Sequence, residues 1–243
     1  MQFRAHRGHA AYPENTIPAF KKALEAGFTV LETDPQFTKD GVIVLMHDAS
    51  VNRTCRNRDG SPIEKEVIVA ESTYEELLAY DAGIAFGEEF SGTPIARLED
   101  LLVLLDGSDI VLDLDKKIPT EKMEPLLELA GRYRVRAEFS CGDVERIKKI
   151  LAYDPTALIN YDGQTTEEIL TEICATVPYE QLIVWMYYDN PHFAWLTDRY
   201  KASCENCARV KQYARLGIAN IHTAYEMYDA IRWGADAIEP FGL

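Results

Sequence analysis

Four short polar motifs near the N-terminus carry side chains whose chemistries fit together: His6-Arg7-Gly8, Pro13-Glu14-Asn15-Thr16, Glu32-Thr33-Asp34 and His47-Asp48. Two imidazoles titrate near neutral pH and can divide the work of general base and general acid. The Arg7 guanidinium stays charged and offers a planar set of donors that matches phosphate oxygens. Glu32 and Asp34, two apart at the end of a candidate strand, project from one face, and a divalent cation with oxygen ligands, Mg²⁺ or Ca²⁺, relieves their repulsion. Together these groups make up most of what is needed to hold a metal and break a phosphodiester bond. Singly, each has a plainer reading: a hydrated acid pair at an exposed strand end, a satisfied structural histidine, an Arg7 ion pair with Glu14 or Glu32.

A second acid pair, Asp113 and Asp115, repeats the spacing within Val111-Leu112-Asp113-Leu114-Asp115-Lys116. In a (β/α)₈ barrel the C-terminal strand ends converge, so acids distant in sequence can complete one coordination shell. Trp185, Tyr187 and Tyr188 are candidates to line such a site, although aromatics on a strand more often pack a core.

The elements that must position these groups are legible as apolar runs. His6 follows Phe3-Arg4-Ala5, and His47 follows Val42 to Met46, so each imidazole ends a strand. Further strand-length runs are Phe28 to Leu31, Ile110 to Leu114, Val135 to Phe139, Ala157 to Ile159 and Leu182 to Met186. Helical periodicity covers Thr16 to Ala26, Thr73 to Tyr80, Leu98 to Leu105, Thr120 to Tyr133, Asp143 to Ala152, Thr166 to Ala175, Pro191 to Tyr200, Asn206 to Leu216 and Tyr225 to Trp233. The alternation predicts a parallel sheet with helices on it. Thr120 and Asp143 are placed to cap helices, and Gly27, Gly217 and Gly234 sit where helices should end.

Two regions break the pattern. Asp34 and Val42 are too close for a parallel crossover, which takes about a dozen residues, and Thr38-Lys39-Asp40-Gly41 is a turn signal. Either a hairpin forms there, or an extended piece runs back down the barrel; the second is preferred, because both strands end in polar site candidates and would then be parallel. Residues 51–97, punctuated by Gly60-Ser61-Pro62, Gly83, Gly87 and Ser91-Gly92-Thr93-Pro94, read as an insertion with a short helix around Glu75 to Ala79, capping one end of the barrel.

With 243 residues and 47% hydrophobic content, the chain suits a single barrel domain, 1–243, with its cap at about 51–97. The 25 basic against 40 acidic side chains, a net charge of -15, argue against nucleic acid or anionic lipid as partner. Five cysteines form no disulfide framework and suit a reducing compartment, with cytoplasm as the default; Cys204-Glu205-Asn206-Cys207 lacks the second pair a structural zinc requires. The N-terminus runs straight into a candidate site motif, leaving no room for a signal peptide, and no apolar stretch approaches the roughly 18 residues of a membrane span. Oligomeric state is not legible.

In order and spacing, Ala5-His6-Arg7-Gly8, Pro13-Glu14-Asn15-Thr16, Ala19-Phe20, Glu32-Thr33-Asp34, Thr38-Lys39-Asp40-Gly41, His47-Asp48 and Arg53-Thr54 resemble the glycerophosphodiester phosphodiesterase family, and looser matches continue through Leu98-Glu99-Asp100-Leu101 to Phe139-Ser140. The resemblance implies a TIM-type (β/α)₈ barrel with an irregular or missing helix after strand 2 and a small insertion after strand 3. It implies a divalent metal held by Glu32, Asp34 and a third acid, which maps best to Asp113, where the family more often has Glu. It makes His6 and His47 the acid/base pair, gives Arg7 the phosphate, and has Glu14 organise the substrate site. The sequence departs from the family in three places. Asp115 stands where a lysine is common, with Lys116 on the opposite strand face. Ile218-Ala219-Asn220-Ile221-His222 replaces a late Trp-Thr-x-Asn strand, and Ile238-Glu239-Pro240 replaces a terminal Thr-Asp.

The expected function is metal-dependent hydrolysis of a soluble glycerophosphodiester, a small-molecule step of glycerol and lipid metabolism. A lysophospholipase D-like or cyclising lyase reaction is one alternative. A phosphate-ligand-binding barrel without turnover is another.

Overall fold

The computed structural model describes residues 1–188 and 200–240. Eight parallel strands close a barrel: β1 (Gln2–Ala5), β2 (Val30–Thr33), β7 (Val111–Leu114), β8 (Arg136–Cys141), β9 (Leu158–Tyr161), β10 (Leu182–Tyr187), β11 (Arg215–Ile221) and β12 (Ala237–Pro240), with β12 pairing back to β1. The strands between them in sequence are β3 (Pro35–Phe37), β4 (Ile43–Leu45), β5 (Arg56–Asn57) and β6 (Tyr80–Asp81), which lie outside the barrel. The helices are α1 (Ile17–Glu25), α2 (Tyr74–Leu77), α3 (Leu98–Leu105), α4 (Glu124–Ala130), α5 (Val144–Tyr153), α6 (Glu167–Thr176), α7 (Cys204–Val210) and α8 (Ala224–Arg232). None is long and apolar enough to cross a membrane, among the described residues.

Alternation along each strand sorts the side chains. Leu31, Leu112, Leu114, Phe139, Ile159, Val184, Leu216 and Ile238 point outward into the main apolar core beneath the helices. The residues between them point into the barrel, where Ile183, Trp185, Ala219 and Ala237 form a small apolar plug and the polar residues sit around and above it. The helices begin where short polar caps stop the strands' polar ends: Thr16 Oγ1 accepts from Ala19 N, Asp143 from Arg146 N, Thr166 from Ile169 N, and Thr223 forms a capping box with Glu226. Gly27 and Gly234, at φ +87 and +79, end their helices as expected. Gly217 does not: it lies inside β11 opposite Trp185, and a Cβ there would stand 2.5 Å from the indole. Thr120 opens a 3-10 turn and makes no side-chain cap. The helix expected at Pro191 to Tyr200 lies outside the described residues.

The connection after β2 is the hairpin, not the extended return. β3 and β4 pair antiparallel, Pro35 with Leu45 and Phe37 with Ile43, around the turn at Thr38 to Gly41. Gly41 takes φ +82, and Thr38 Oγ1 closes the turn on Asp40 and Val42. The polar strand end still arrives at the barrel mouth, because Met46 N donates to Asp34 O at 2.9 Å. Val42 to Met46 is therefore no barrel strand, and β2 pairs directly with β7. The insertion is present, with the short capped helix α2, the β5–β6 pair and an apolar cluster of its own built on Val44, Val51, Val69, Leu77 and Ile95.

Candidate active site

His6, Arg7, Glu32, Asp34, His47 and Asp113, six of the seven site residues expected from sequence, line one cavity of about 370 Å³ at the C-terminal ends of the strands. Glu14 lies just beyond its rim, lining an adjoining groove that shares His6 and Arg7.

The first loop is bent by its backbone. Arg7 and Asn15 adopt φ 56 and 58, and Gly8 φ 94 with Ala19 so close that a Cβ would meet it at 2.7 Å. Asparagine tolerates this left-handed region better than most residues. Asn15 uses it to turn its amide onto the acid strand: Nδ2 donates to Asp34 Oδ2 at 2.8 Å and Oδ1 accepts from Thr33 Oγ1 at 2.8 Å. Arg7 N donates to Glu32 Oε2 at 2.9 Å, and its guanidinium lies 3.3 Å from Glu14 Oε1 and 3.2 Å from Asp34 Oδ2. Arg7 thus makes the ion pair anticipated with Glu14, while its second carboxylate partner is Asp34 and Glu32 is met by the Arg7 backbone N–H.

His47 is fixed from the hairpin side. The Gln36 amide donates to the carbonyls of Met46, His47 and Asp48. His47 Nδ1 lies 2.6 Å from Asp48 Oδ1, which leaves Nε2 for proton exchange. Arg53 donates to both Asp48 and Glu14, so His47, Asp48, Arg53, Glu14, Arg7 and Asp34 form one continuous chain of alternating polarity. Arg53 drives the Asp48 carboxyl down to about 2. Across the cavity, burial and then the charges of Arg7 and His47 push His6 down to about 3, leaving it neutral, with Nε2 3.9 Å from Glu32 Oε2.

The acids crowd a largely buried site, and their titration shows it. Burial raises the Glu32 carboxyl well above its ordinary value, with Asp34, Glu239 and Asp115 adding repulsion. Burial likewise raises Asp34, against the pull of Arg7 and Asn15. Glu239, on the last strand, is pushed up to about 7 by burial, with Arg4 opposing and Asp115 reinforcing. Asp113 sits lower, buried and ion-paired with the buried Arg4, which also reaches Glu138 at 2.5 Å and stacks under Trp185 at 4.6 Å.

Several of these groups went unmarked in the sequence. In the sequence Asn15, Arg53 and Glu239 stand inside motifs with no role of their own, and Arg4 reads as plain strand. Lys117 belongs to none of the sequence motifs, yet its Nζ lies 3.5 Å from Asp34 Oδ1 and 3.6 Å from Asp115 Oδ2, inside the same cavity. A cation therefore stands in the cavity even though Asp115 occupies the lysine position, and Lys116 also reaches it, paired with Asp162. Strand parity alone hid this, because residues 116 and 117 lie past the end of β7. Trp185 and Tyr187 line the cavity; Tyr188 turns away to stack on Trp233 and bond Asp229.

Among the described residues no three ligating side chains are assembled into a ready-made metal site, but the inward carboxylates, raised by burial and then by one another's charge, and the Asn160 Oδ1, which meets no donor among the described residues although only 6% of the residue is exposed, are oxygens of the kind a hard divalent cation takes.

Comparison with known proteins agrees with this architecture. A glycerophosphodiester phosphodiesterase of Caldanaerobacter subterraneus subsp. tengcongensis is 41% identical over 114 residues, covering 46% of this chain and 44% of that protein. One from Bacillus altitudinis is 40% identical over 115 residues, covering 46% and 44%. The match thus spans less than half the length of these curated relatives. In fold, an Oleispira antarctica phosphodiesterase solved with its product sn-glycerol-3-phosphate superposes with a TM-score of 0.80 at 18% identity, over 99% of this chain and 92% of that one. The model of the glycerophosphoryl diester phosphodiesterase family matches residues 6–184, and the chain belongs to that family.

Proposed function

We propose that this barrel hydrolyses a soluble glycerophosphodiester to an alcohol and glycerol 3-phosphate, using a divalent cation and the His6–His47 pair. The observation that carries the reading is the arrival of two imidazoles, one from β1 and one from the hairpin, at the cavity that also holds Arg7 and the Glu32–Asp34 pair. Neutral His6 accepts the proton of a glycerol hydroxyl as it attacks phosphorus and closes a cyclic phosphate. His47, with Asp48 on Nδ1 to stabilise the imidazolium, donates to the departing alcohol. Reversal of these roles activates water to open the ring. Arg7 binds the phosphoryl oxygens and Glu14 holds Arg7 in place. Glu32, Asp34 and an acid from the β7 end would hold Mg²⁺ or Ca²⁺, which supplies positive charge against the developing phosphoryl charge.

The net charge of -15 supports a small deacylated substrate over an anionic bilayer surface. The test is a screen of glycerophosphodiesters with Mg²⁺, Ca²⁺ or chelator, with His6→Ala and His47→Ala alongside. Each variant should remain folded and lose turnover; near-normal activity in either removes the acid/base pair.

A second reading has its own support. The groove beside the cavity, about 340 Å³, carries Tyr12, Phe28, Ala82, Ala85 and Phe86 on part of its wall beside the basic Arg7, Arg53 and His9, and Glu14, the one acid lining it among the described residues, is neutralised by Arg53 and Arg7. Such walls favour an apolar leaving group and a reaction of the lysophospholipase D or cyclising type. Phosphorus NMR that finds a cyclic phosphate as the end product from a lysophospholipid would select it; glycerol 3-phosphate from small diesters would exclude it.

A further inference from the structure

Resting on the hydrolytic reading above, in which His47 protonates the departing alcohol, we infer that Asp162 and Trp185 form a headgroup subsite that selects a neutral, hydroxyl-bearing leaving alcohol. His47 lines the cavity and not the adjoining groove, so the alcohol it protonates lies in the cavity. The cavity wall across the barrel from β1 and β2 belongs to β9 and β10. Val184 pairs with Tyr161 there, which sets Trp185 level with Asp162, and alternation turns both inward, where they line the cavity.

Each carries a buried polar atom that the protein leaves unused. Trp185 is 3% exposed, and its Nε1, which can only donate, meets no acceptor among the described residues. Asp162 Oδ2 accepts from Lys116 Nζ and, at 3.3 Å, from the Tyr187 hydroxyl, but Oδ1 meets no donor among the described residues. Buried polar atoms of this kind are costly unless something completes them. A free donor and a free acceptor at one level suit hydroxyl groups, which both accept and donate. The surrounding charges disfavour the other headgroup classes. An ammonium would face Lys116 and Lys117, would offer Trp185 no acceptor, and would find the indole already stacked with Arg4 at 4.6 Å. An anion would face Asp115 and Glu239. An alkyl group would leave both orphaned atoms unpaired, the situation in which a hydrogen-bonding site rejects an analogue without hydroxyls.

The experiment compares kcat/KM of the full chain, with Mg²⁺ or Ca²⁺ added, on glycerophosphodiesters that differ only in the leaving alcohol: glycerol, choline or propanol. Wild type should favour the glycerol headgroup over both others by about tenfold or more. The ratio between the glycerol and propanol esters isolates the hydroxyls, and intrinsic reactivity cancels when that ratio is compared between variants. Asp162→Ala should lower it by about tenfold and Trp185→Phe by about threefold, the losses expected for a hydrogen bond to a charged and to a neutral group. Both variants are checked for folding by circular dichroism, and should one not fold, the other decides alone. A wild type that prefers choline or propanol overturns the subsite. So does a folded variant that loses equally on every ester, since its residue would then serve the glycerol half or the fold. A wild type that turns over none of these diesters overturns the hydrolytic reading itself, a result distinct from turnover that ignores the headgroup.

Discussion

Arg53 Nε donates to Asp48 Oδ2 at 2.5 Å, and so a residue of the insertion holds the carboxylate that holds His47. The side chain is half-exposed, and ion pairs of that kind contribute little to stability, so Arg53→Gln should leave the fold intact. Its effect should fall on catalysis. Asp48 is kept down at about 2 chiefly by Arg53. Without that guanidinium its value rises toward the ordinary range, the charge behind His47 is lost at a higher pH, and the acid limb of kcat/KM moves upward. A fall in turnover of about 10- to 100-fold is expected from loss of such an orienting partner. An unchanged pH profile would mean that Arg53 has no part in positioning His47.

Asn15 combines a backbone requirement with a side-chain one, and two substitutions separate them. Alanine at φ 58 carries the left-handed penalty and also removes the donor to Asp34, so Asn15→Ala should destabilise by about 2–4 kcal/mol. Glycine is at ease in that region. Asn15→Gly should therefore lose only the hydrogen bonds, and its urea midpoint should lie between those of wild type and Asn15→Ala. Equal midpoints for the two variants would show that the backbone conformation carries no cost here.

Gly217 fills a similar role inside the barrel, where its missing Cβ admits the Trp185 ring that covers Arg4. Gly217→Ala places a methyl 2.5 Å from the indole and should cost about 1–3 kcal/mol through overpacking. The strain should be relieved when the ring is removed, so Gly217→Ala combined with Trp185→Leu should lose less than the sum of the two single losses. Strict additivity in thermal unfolding would place the cost elsewhere.

Residues marked by spacing alone reach the cavity, because strand parity and strand ends are local. Glu32 with Asp34 and the imidazoles at strand ends needed only the period of two. The direction of the chain after Asp34 was different: hairpin and extended return share one turn signal, and only the rung from Met46 N to Asp34 O, a contact between backbones, separates them. Gly217 looked like a helix stop because glycine before an apolar run commonly is one; its real reason, Trp185, lies on another strand. Arg4 looked like ordinary strand because its partners, Asp113 and Glu138, are far along the sequence.

Glu239 supplies a pH test of how the cavity is charged. Its folded-state value is raised to about 7 from 4.5, mainly by burial, with Arg4 opposing. Between those values the folded state binds the proton that the unfolded state has released, so the contribution to stability is full below 4.5 and is lost as pH rises to about 7. Glu239→Gln is neutral throughout and escapes that loss. With chelator present, wild type should therefore lose ground to Glu239→Gln across this window, by up to about 3 kcal/mol. His6 works in the opposite sense, since its value falls from 6.5 to about 3 on folding and stability is lost as pH falls between them. That contribution is common to both proteins and cancels in their difference. Adding Mg²⁺ or Ca²⁺ should shrink the gap, because a cation among these acids favours their charged forms. Urea midpoints that stay parallel from pH 4.5 to 7 would show that Glu239 ionises as an ordinary solvated carboxylate, and the charge repulsion ascribed to the cavity would then have to be smaller.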